Sequence, residues 1–132
     1  MLSVYEELSG EFGRVDGILY HQGESNNGQS ENYYNDFIEF VEKLKSHRIN
    51  IPIYLSRVSY CGYSLPKDDK LIKIQNSLIR DLEQVFEGPN SDLLDIKEFR
   101  LPDYCLFSLL GCDKFADMWV VAIEKSKSRP LN

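Results

Sequence analysis

The sequence predicts an α/β fold in which helices cover a mostly parallel β-sheet. Two short apolar segments, 15–20 and 51–58, have the length of strands and are rich in β-branched or aromatic residues. Two longer segments, 30–47 and 68–86, carry apolar residues at helical spacing. Strands that alternate with helices pair in parallel, because each helix returns the chain to the start of the next strand.

Length and charge narrow the class of protein. A chain of 132 residues predicts one domain. The net charge of −6 argues against non-specific binding to nucleic acid or to an anionic membrane, since both need clusters of Lys and Arg. No apolar run approaches the ~18 residues of a spanning helix, and the first residues lack the features of a signal peptide. We therefore expect a cytoplasmic protein.

The first half of the chain predicts two strand–helix units after a short helix at 2–11. The first strand covers 15–20. Ser30 is a suitable N-cap for a helix that continues to about His47. The second strand covers 51–58, with Pro52 tolerated near its start.

The second half predicts a long helix at 68–86, which we expect Gly88 and Pro89 to end. A short strand is predicted at 93–96. Gly111 precedes a last helix at 112–125. The predicted domain covers 1–124, and the polar segment 125–132 is predicted to be a frayed tail.

The three cysteines, Cys61, Cys105 and Cys112, make an odd count without a CxxC pair. This pattern predicts buried or half-buried thiols in a reducing compartment rather than a disulfide framework. No His, Cys or carboxylate pair has the spacing of a zinc site. We expect no metal and no cofactor.

The strand at 15–20 stops at a cluster of polar residues. An imidazole, an amide and a carboxylate follow within four positions, in His21, Gln22 and Glu24. Gly23 between them allows a sharp turn or the close approach of a ligand. Buried parallel strands end in this way where their carboxyl edge opens into a site.

Two blocks carry a resemblance to a known family. The sequence Leu-Tyr-His-Gln-Gly-Glu-Ser-Asn at 19–26 resembles the hydrophobic-W-H-Q-G-E-S-D/N block of sialate O-acetylesterases, which are carbohydrate esterases of the SGNH-hydrolase superfamily. The segment 100–119 resembles their terminal R-x-x-D-G-C-H-F-S block, and weaker matches lie between. The resemblance spans about 13–124. It implies a flavodoxin-like α/β/α sandwich and hydrolysis of acetyl esters on sugars.

The resemblance also implies roles for single residues. Gln22 matches an oxyanion donor or substrate anchor, and Glu24 matches a carboxylate that supports the loop. Asp103 matches the acid that orients the catalytic histidine. The neighbouring motif residues are implied in binding an acetylated carbohydrate: they are His21, Gly23, Ser25 and Asn26.

Two departures from the family pattern predict an inactive chain. Leu106 occupies the position of the catalytic histidine, and leucine cannot accept a proton. The family's nucleophilic serine lies in an upstream G-Q-S-N block on a first strand, and neither has a counterpart here. Ser25 is a weak substitute because no base accompanies it.

Several explanations remain open. The chain is a truncated or degenerate product, half of a split domain completed by another chain, or a pseudo-esterase that binds an acetylated glycan or a protein. A non-catalytic flavodoxin-like interaction module is the alternative from another class. The absent strands would leave a sheet edge uncovered, so we expect a homo-oligomer or a complementing chain.

Overall fold

A computed structural model describes residues 2–127 and confirms the α/β class with a parallel sheet. The helices and strands alternate along the chain. In order they are α1 (Leu2–Phe12), β1 (Ile18–Tyr20), α2 (Tyr33–Ser46), β2 (Ile53–Arg57), α3 (Asp69–Asp81), β3 (Val85–Asn90) and α4 (Leu109–Lys127). Short 3₁₀ turns occupy Glu24–Asn26, Ser30–Asn32 and Ser91–Leu93.

The three strands lie in the order β1-β2-β3 and all run parallel. Ile18 lies opposite Ile53, which in turn lies opposite Val85. The prediction that 15–20 and 51–58 pair in parallel, with their carboxyl ends at one edge, is confirmed, although both strands are shorter than predicted. The polar residues that follow each strand therefore meet at one edge of the sheet.

Helices cover both faces of the sheet. The main core lies beneath α2 and α3, and its largest fully buried apolar side chains are Ile53, Leu55, Leu71, Leu78, Val41 and Val85. On the other face α4 packs against β3, and its Ser126 hydroxyl donates a hydrogen bond of 3.1 Å to the hydroxyl of Tyr54. Tyr54 alternates with Ile53 and Leu55 along β2, so it faces away from the main core.

The predicted helix at 68–86 is wrong at its end, and the predicted strand at 93–96 is not formed. The helix ends at Asp81, and Val85–Asn90 forms β3 instead. Gly88 lies in that strand at a point where β3 passes very close to β2. An added Cβ would lie 2.7 Å from the Leu55 carbonyl carbon, so only glycine allows this approach. Pro89 is tolerated because β3 has a neighbour on one side only among the described strands.

The predicted helix starts are partly wrong. Ser30 begins a 3₁₀ turn rather than capping α2, and its side chain is buried. Asp68 does cap α3, since its carboxylate accepts the backbone N–H groups of Lys70 and Leu71.

The last helix is longer than predicted at both ends. Gly111 lies inside α4 instead of preceding it. Glycine is required there because this turn of the helix packs against the backbone of the preceding loop, where a Cβ would lie 2.0 Å from the Phe99 carbonyl oxygen. The helix continues to Lys127, so 125–127 are helical rather than frayed. The rest of the predicted tail, 128–132, lies outside the described residues. No helix within 2–127 has both the length and the apolar content needed to cross a membrane.

One buried amide ties α3 to the end of β2. Gln75 is fully buried, and its side chain forms two hydrogen bonds of 3.0 Å with the same residue: Oε1 accepts the Val58 N–H, and Nε2 donates to the Val58 carbonyl. Gly23 packs directly over this pair, and a Cβ there would lie 2.4 Å from the Val58 oxygen. The amide thus positions the loop after β1 as well as the end of β2.

We expect Gln75→Leu to lower the free energy of unfolding by about 2–4 kcal/mol. Leucine has a similar volume but leaves the N–H and carbonyl of Val58 buried without partners, at about 1–3 kcal/mol each. Chemical denaturation of wild type and variant measures the difference. Asn76→Leu is the matched control, because Asn76 is an exposed amide on the same helix. A loss no larger than that of the control would contradict this account of the Gln75 amide.

Candidate functional site

The candidate site lies at the carboxyl edge of the sheet. His21 follows β1, Ser59 and Asp92 follow β2 and β3, and Ser56 lies near the end of β2. The motif recognised in the sequence therefore meets residues from both neighbouring strands. In open parallel sheets this edge is where ligands bind.

His21 is held by a buried serine. Its Nδ1 lies 3.0 Å from Ser56 Oγ, and Ser56 is fully buried. The Ser56 hydroxyl donates its proton to the carbonyl of Pro89 at 3.0 Å, because a carbonyl oxygen can only accept. Ser56 Oγ is therefore the acceptor for the imidazole, so Nδ1 carries the proton and Nε2 presents a lone pair.

The surroundings of His21 favour a neutral imidazole. Its ring centroid lies 4.9 Å from that of Phe115 and 6.4 Å from that of Phe107, while one edge of the residue stays exposed to solvent. Desolvation lowers the pKa of His21 from its ordinary value of 6.5. Glu24 acts against this shift, Arg100 acts with it, and Asp92 also opposes it. At neutral pH, Nε2 is thus an acceptor.

The loop after β1 is braced by its own side chains. Gln22 Nε2 donates to Asn26 Oδ1 at 2.8 Å, and the Gln22 carbonyl accepts the hydroxyl of Tyr33 at 2.8 Å. The Glu24 carboxylate accepts the Gly23 N–H at 3.1 Å. Ser25 is exposed on the 3₁₀ turn. The Gln22 amide nitrogen, expected to be an oxyanion donor, thus uses one of its two N–H groups within the loop.

Asp103 and Leu106 lie together in the loop before α4. The Asp103 carboxylate accepts the backbone N–H groups of Cys105 at 2.9 Å and Leu106 at 3.1 Å. Asp103 is exposed, and the side chain of Leu106 is 59% exposed. The Asp103 carboxylate therefore stabilises its own turn and does not orient an imidazole. The structure does not bring Asp103 into hydrogen bonding with His21.

Arg100 organises this loop, a role that its sequence pattern did not indicate. It is buried and donates to the carbonyls of Leu94 at 2.5 Å, Cys105 at 2.5 Å and Ser91 at 3.0 Å. Its guanidinium also lies 4.2 Å from the centroid of the Phe107 ring. The sequence gives little indication of this role, because the hydrogen-bond partners of Arg100 are backbone carbonyls, which any residue can supply.

Asp92 is a second residue that sequence reasoning missed. Its buried carboxylate accepts the N–H of Ser59 at 2.9 Å, the hydroxyl of Ser59 at 2.5 Å and the N–H of Tyr60 at 3.0 Å. These three bonds satisfy a charge that would otherwise be costly to bury. The turn after β3 is thereby joined to the end of β2, beside the site.

The prediction of three thiols is wrong. Cys61 and Cys105 form a disulfide, and Cys112 is free and exposed instead of buried. The loop after β2 and the loop before α4 lie in close contact here, since a Cβ at Gly62 would lie 2.5 Å from the backbone carbonyl oxygen of Asp103. An odd cysteine count does not reveal such a contact between distant loops. Disulfides persist mainly in oxidising surroundings, so this pair does not support the expected reducing compartment.

The described residues do not assemble a nucleophile with a base. The hydroxyl that contacts His21 is that of Ser56, which is buried and has committed its proton to Pro89. Residues 2–127 also contain no group of three or more His, Cys, Asp or Glu side chains able to hold a metal ion. What the site offers is an exposed imidazole acceptor beside aromatic rings, next to a braced amide loop.

Comparison with models of protein families, with curated proteins and with solved structures finds no match to this chain. The resemblance to sialate O-acetylesterases thus stays an expectation based on the two sequence blocks.

We expect His21 to titrate below its ordinary pKa of 6.5, because its surroundings disfavour the charged form. The unfolded chain then binds more protons than the folded one between the two pKa values, so the free energy of unfolding falls as the pH drops from 6.5 toward the folded pKa. NMR titration of the two imidazoles measures the pKa directly. The change in the free energy of unfolding between pH 6.5 and 5.5 should be lost in His21→Gln and kept in His47→Gln. A pKa at or above 6.5 would contradict it.

We expect reduction of the Cys61–Cys105 bond to lower the free energy of unfolding by about 2–4 kcal/mol, because it releases a cross-link between residues 44 apart. Thiol titration of the unfolded, unreduced protein should find one free thiol, that of Cys112, and three after reduction. Cys61→Ser should match the reduced protein in stability, whereas Cys112→Ser should match the oxidised wild type. Three free thiols before reduction would show that the bond is absent.

Proposed function

We propose that this chain binds an acetylated carbohydrate at the carboxyl edge of its sheet and does not hydrolyse it. Its scaffold is a flavodoxin-like three-layer domain of the SGNH type, without a complete catalytic set of its own. Support comes from the motif at 19–26, whose residues lie together at the edge where parallel sheets bind ligands.

The observation that carries the proposal is the state of His21. Its Nδ1–H is used by Ser56, so Nε2 is left as an oriented acceptor with a lowered pKa. A sugar hydroxyl is a donor of the right kind for that nitrogen. Phe115 and Phe107 beside the imidazole offer apolar surface for an acetyl methyl group or a sugar ring face.

Hydrolysis would need a nucleophile that His21 can deprotonate. A base activates a serine by accepting its proton, but here Ser56 accepts from the imidazole and donates to Pro89. Gln22 Nε2 uses one of its two N–H groups on Asn26 and so keeps a second one for an oxyanion. The hydroxyl that contacts His21, however, is that of Ser56 and not that of Ser25, which lies exposed on the 3₁₀ turn. The site thus has the parts for recognition without those for acyl transfer.

We expect an O-acetylated sialic acid to shift the NMR signals of His21 and Gln22, and the same sugar without its acetyl group to bind more weakly. His21→Ala should weaken binding of the acetylated sugar about tenfold, the loss of roughly one hydrogen bond. His47→Ala is the matched control, since His47 is exposed at the end of α2, where its imidazole bonds Ser46 and Lys43. Equal effects of the two variants, or no preference for the acetylated sugar, would overturn the proposal.

The same samples test for catalysis. Acetate release from p-nitrophenyl acetate and from the acetylated sugar should not exceed that of buffer for the wild type, and Leu106→His should not restore it, because a base alone has nothing to activate. Turnover by the wild type that Ser25→Ala abolishes would show an esterase instead. Turnover that appears only on adding a second polypeptide with the upstream serine block would identify half of a split enzyme.

A further inference from the structure

The loop at 100–107 extends the site toward an exposed pair of aromatic rings. Arg100 and Phe107 form an antiparallel bridge at the base of the loop, and the Phe107 ring lies beside that of His21. Tyr104 lies at the tip of the loop. It precedes Phe107 by three residues, so their Cα atoms are at most about 11 Å apart.

Tyr104 contacts Tyr63 from the loop after β2. The two ring centroids are 4.9 Å apart, and the ring planes are inclined at 48°. Tyr104 is half-buried, whereas Tyr63 leaves 82% of its surface exposed. Tyr104 thus supports a ring that lies largely in solvent and that contributes little to the core of the fold.

The backbone that carries this pair is held in an uncommon conformation. Tyr104 has a left-handed φ of 57°, which is strained for a residue with a bulky side chain. Gly62 has a φ of 77° and packs on the Asp103 carbonyl. The disulfide between Cys61 and Cys105 joins the two loops beside the tyrosines. This fixed arrangement limits the conformational entropy that a ligand would remove on binding.

A carboxylate next to the pair provides a hydrogen-bond acceptor. Asp103 is exposed, and the N–H groups of Cys105 and Leu106 both bond its Oδ1, so Oδ2 keeps lone pairs for a ligand hydroxyl. An aromatic ring beside a carboxylate suits a neutral sugar, whose C–H groups pack on the ring and whose hydroxyls donate. An anionic sugar would be repelled by Asp103 and by the net charge of −6.

We propose that Tyr63, supported by Tyr104, binds a second sugar, a neutral hexose linked to the acetylated unit at His21. The hexose packs on the Tyr63 ring, and one of its hydroxyls donates to Asp103 Oδ2. This inference rests on the proposed function, because it extends the ligand of that same site. The short span between the base and the tip of the loop allows one oligosaccharide to contact both.

Calorimetric titration with O-acetylated sialic acid and with O-acetylated sialyllactose tests the second subsite, since a neutral galactose follows the acetylated unit in the longer sugar. We expect the longer sugar to bind about fivefold more tightly, the effect of one aromatic contact. Tyr63→Ala should remove this gain and leave the affinity for the acetylated monosaccharide unchanged, whereas Tyr63→Phe should keep the gain. Phe12→Ala is the matched control, since Phe12 is 68% exposed at the end of α1. Equal affinities for the two sugars would overturn the inference and leave the proposed function intact.

Lactose alone tests the tyrosine pair independently of the acetylated unit. At tens of millimolar it should shift the NMR ring signals of Tyr63 and Tyr104 in the wild type, and the Tyr104 shift should be lost in Tyr63→Ala. Absence of a shift in the wild type would overturn the subsite. If neither acetylated sugar binds, the proposed function is wrong and so is the link to His21, and a lactose shift would then support a site for a neutral sugar alone.

Discussion

The rest of the structure depends on how the carboxyl end of β2 satisfies its buried polar groups. Three residues between positions 56 and 59 make contacts with other elements there. Ser56 bonds His21 after β1 and Pro89 within β3. The Gln75 amide of α3 holds Val58, and the carboxylate of Asp92 holds Ser59. Each unsatisfied group at this depth would cost about 1–3 kcal/mol, so the loops are constrained together.

The same contacts decide what the site can do. A serine hydroxyl has one proton, and Ser56 uses it on a backbone carbonyl. That choice fixes the imidazole tautomer and removes Ser56 as a nucleophile. The position of the loop after β1 is also fixed, because Gly23 packs so closely on Val58 and Gln75 that no larger residue would fit there. Structural demands at the end of β2 therefore leave the imidazole Nε2 as a hydrogen-bond acceptor on an exposed residue.

The sequence predicted the features that repeat along the chain. Apolar periodicity was sufficient for α2, for β2 and for the parallel pairing. It failed at Gly88 and Pro89, because these residues end helices in most contexts but here permit close packing of an edge strand. Contacts between distant loops left no periodic signal. Arg100 and the cysteine pair are examples, since one bonds backbone carbonyls and the other joins residues 44 apart.

The loop before α4 shows why the resemblance does not convert directly into activity. Asp103 occupies the position of an orienting acid, yet both of its hydrogen bonds go to N–H groups of its own turn. Turning that carboxylate toward an imidazole would leave these two groups to solvent and would loosen a turn in which Tyr104 already has a left-handed φ of 57°. Arg100 and the disulfide brace the same turn. The position of Asp103 is therefore stabilised by the loop itself, and a histidine at position 106 would have to compete with that arrangement before it met a nucleophile.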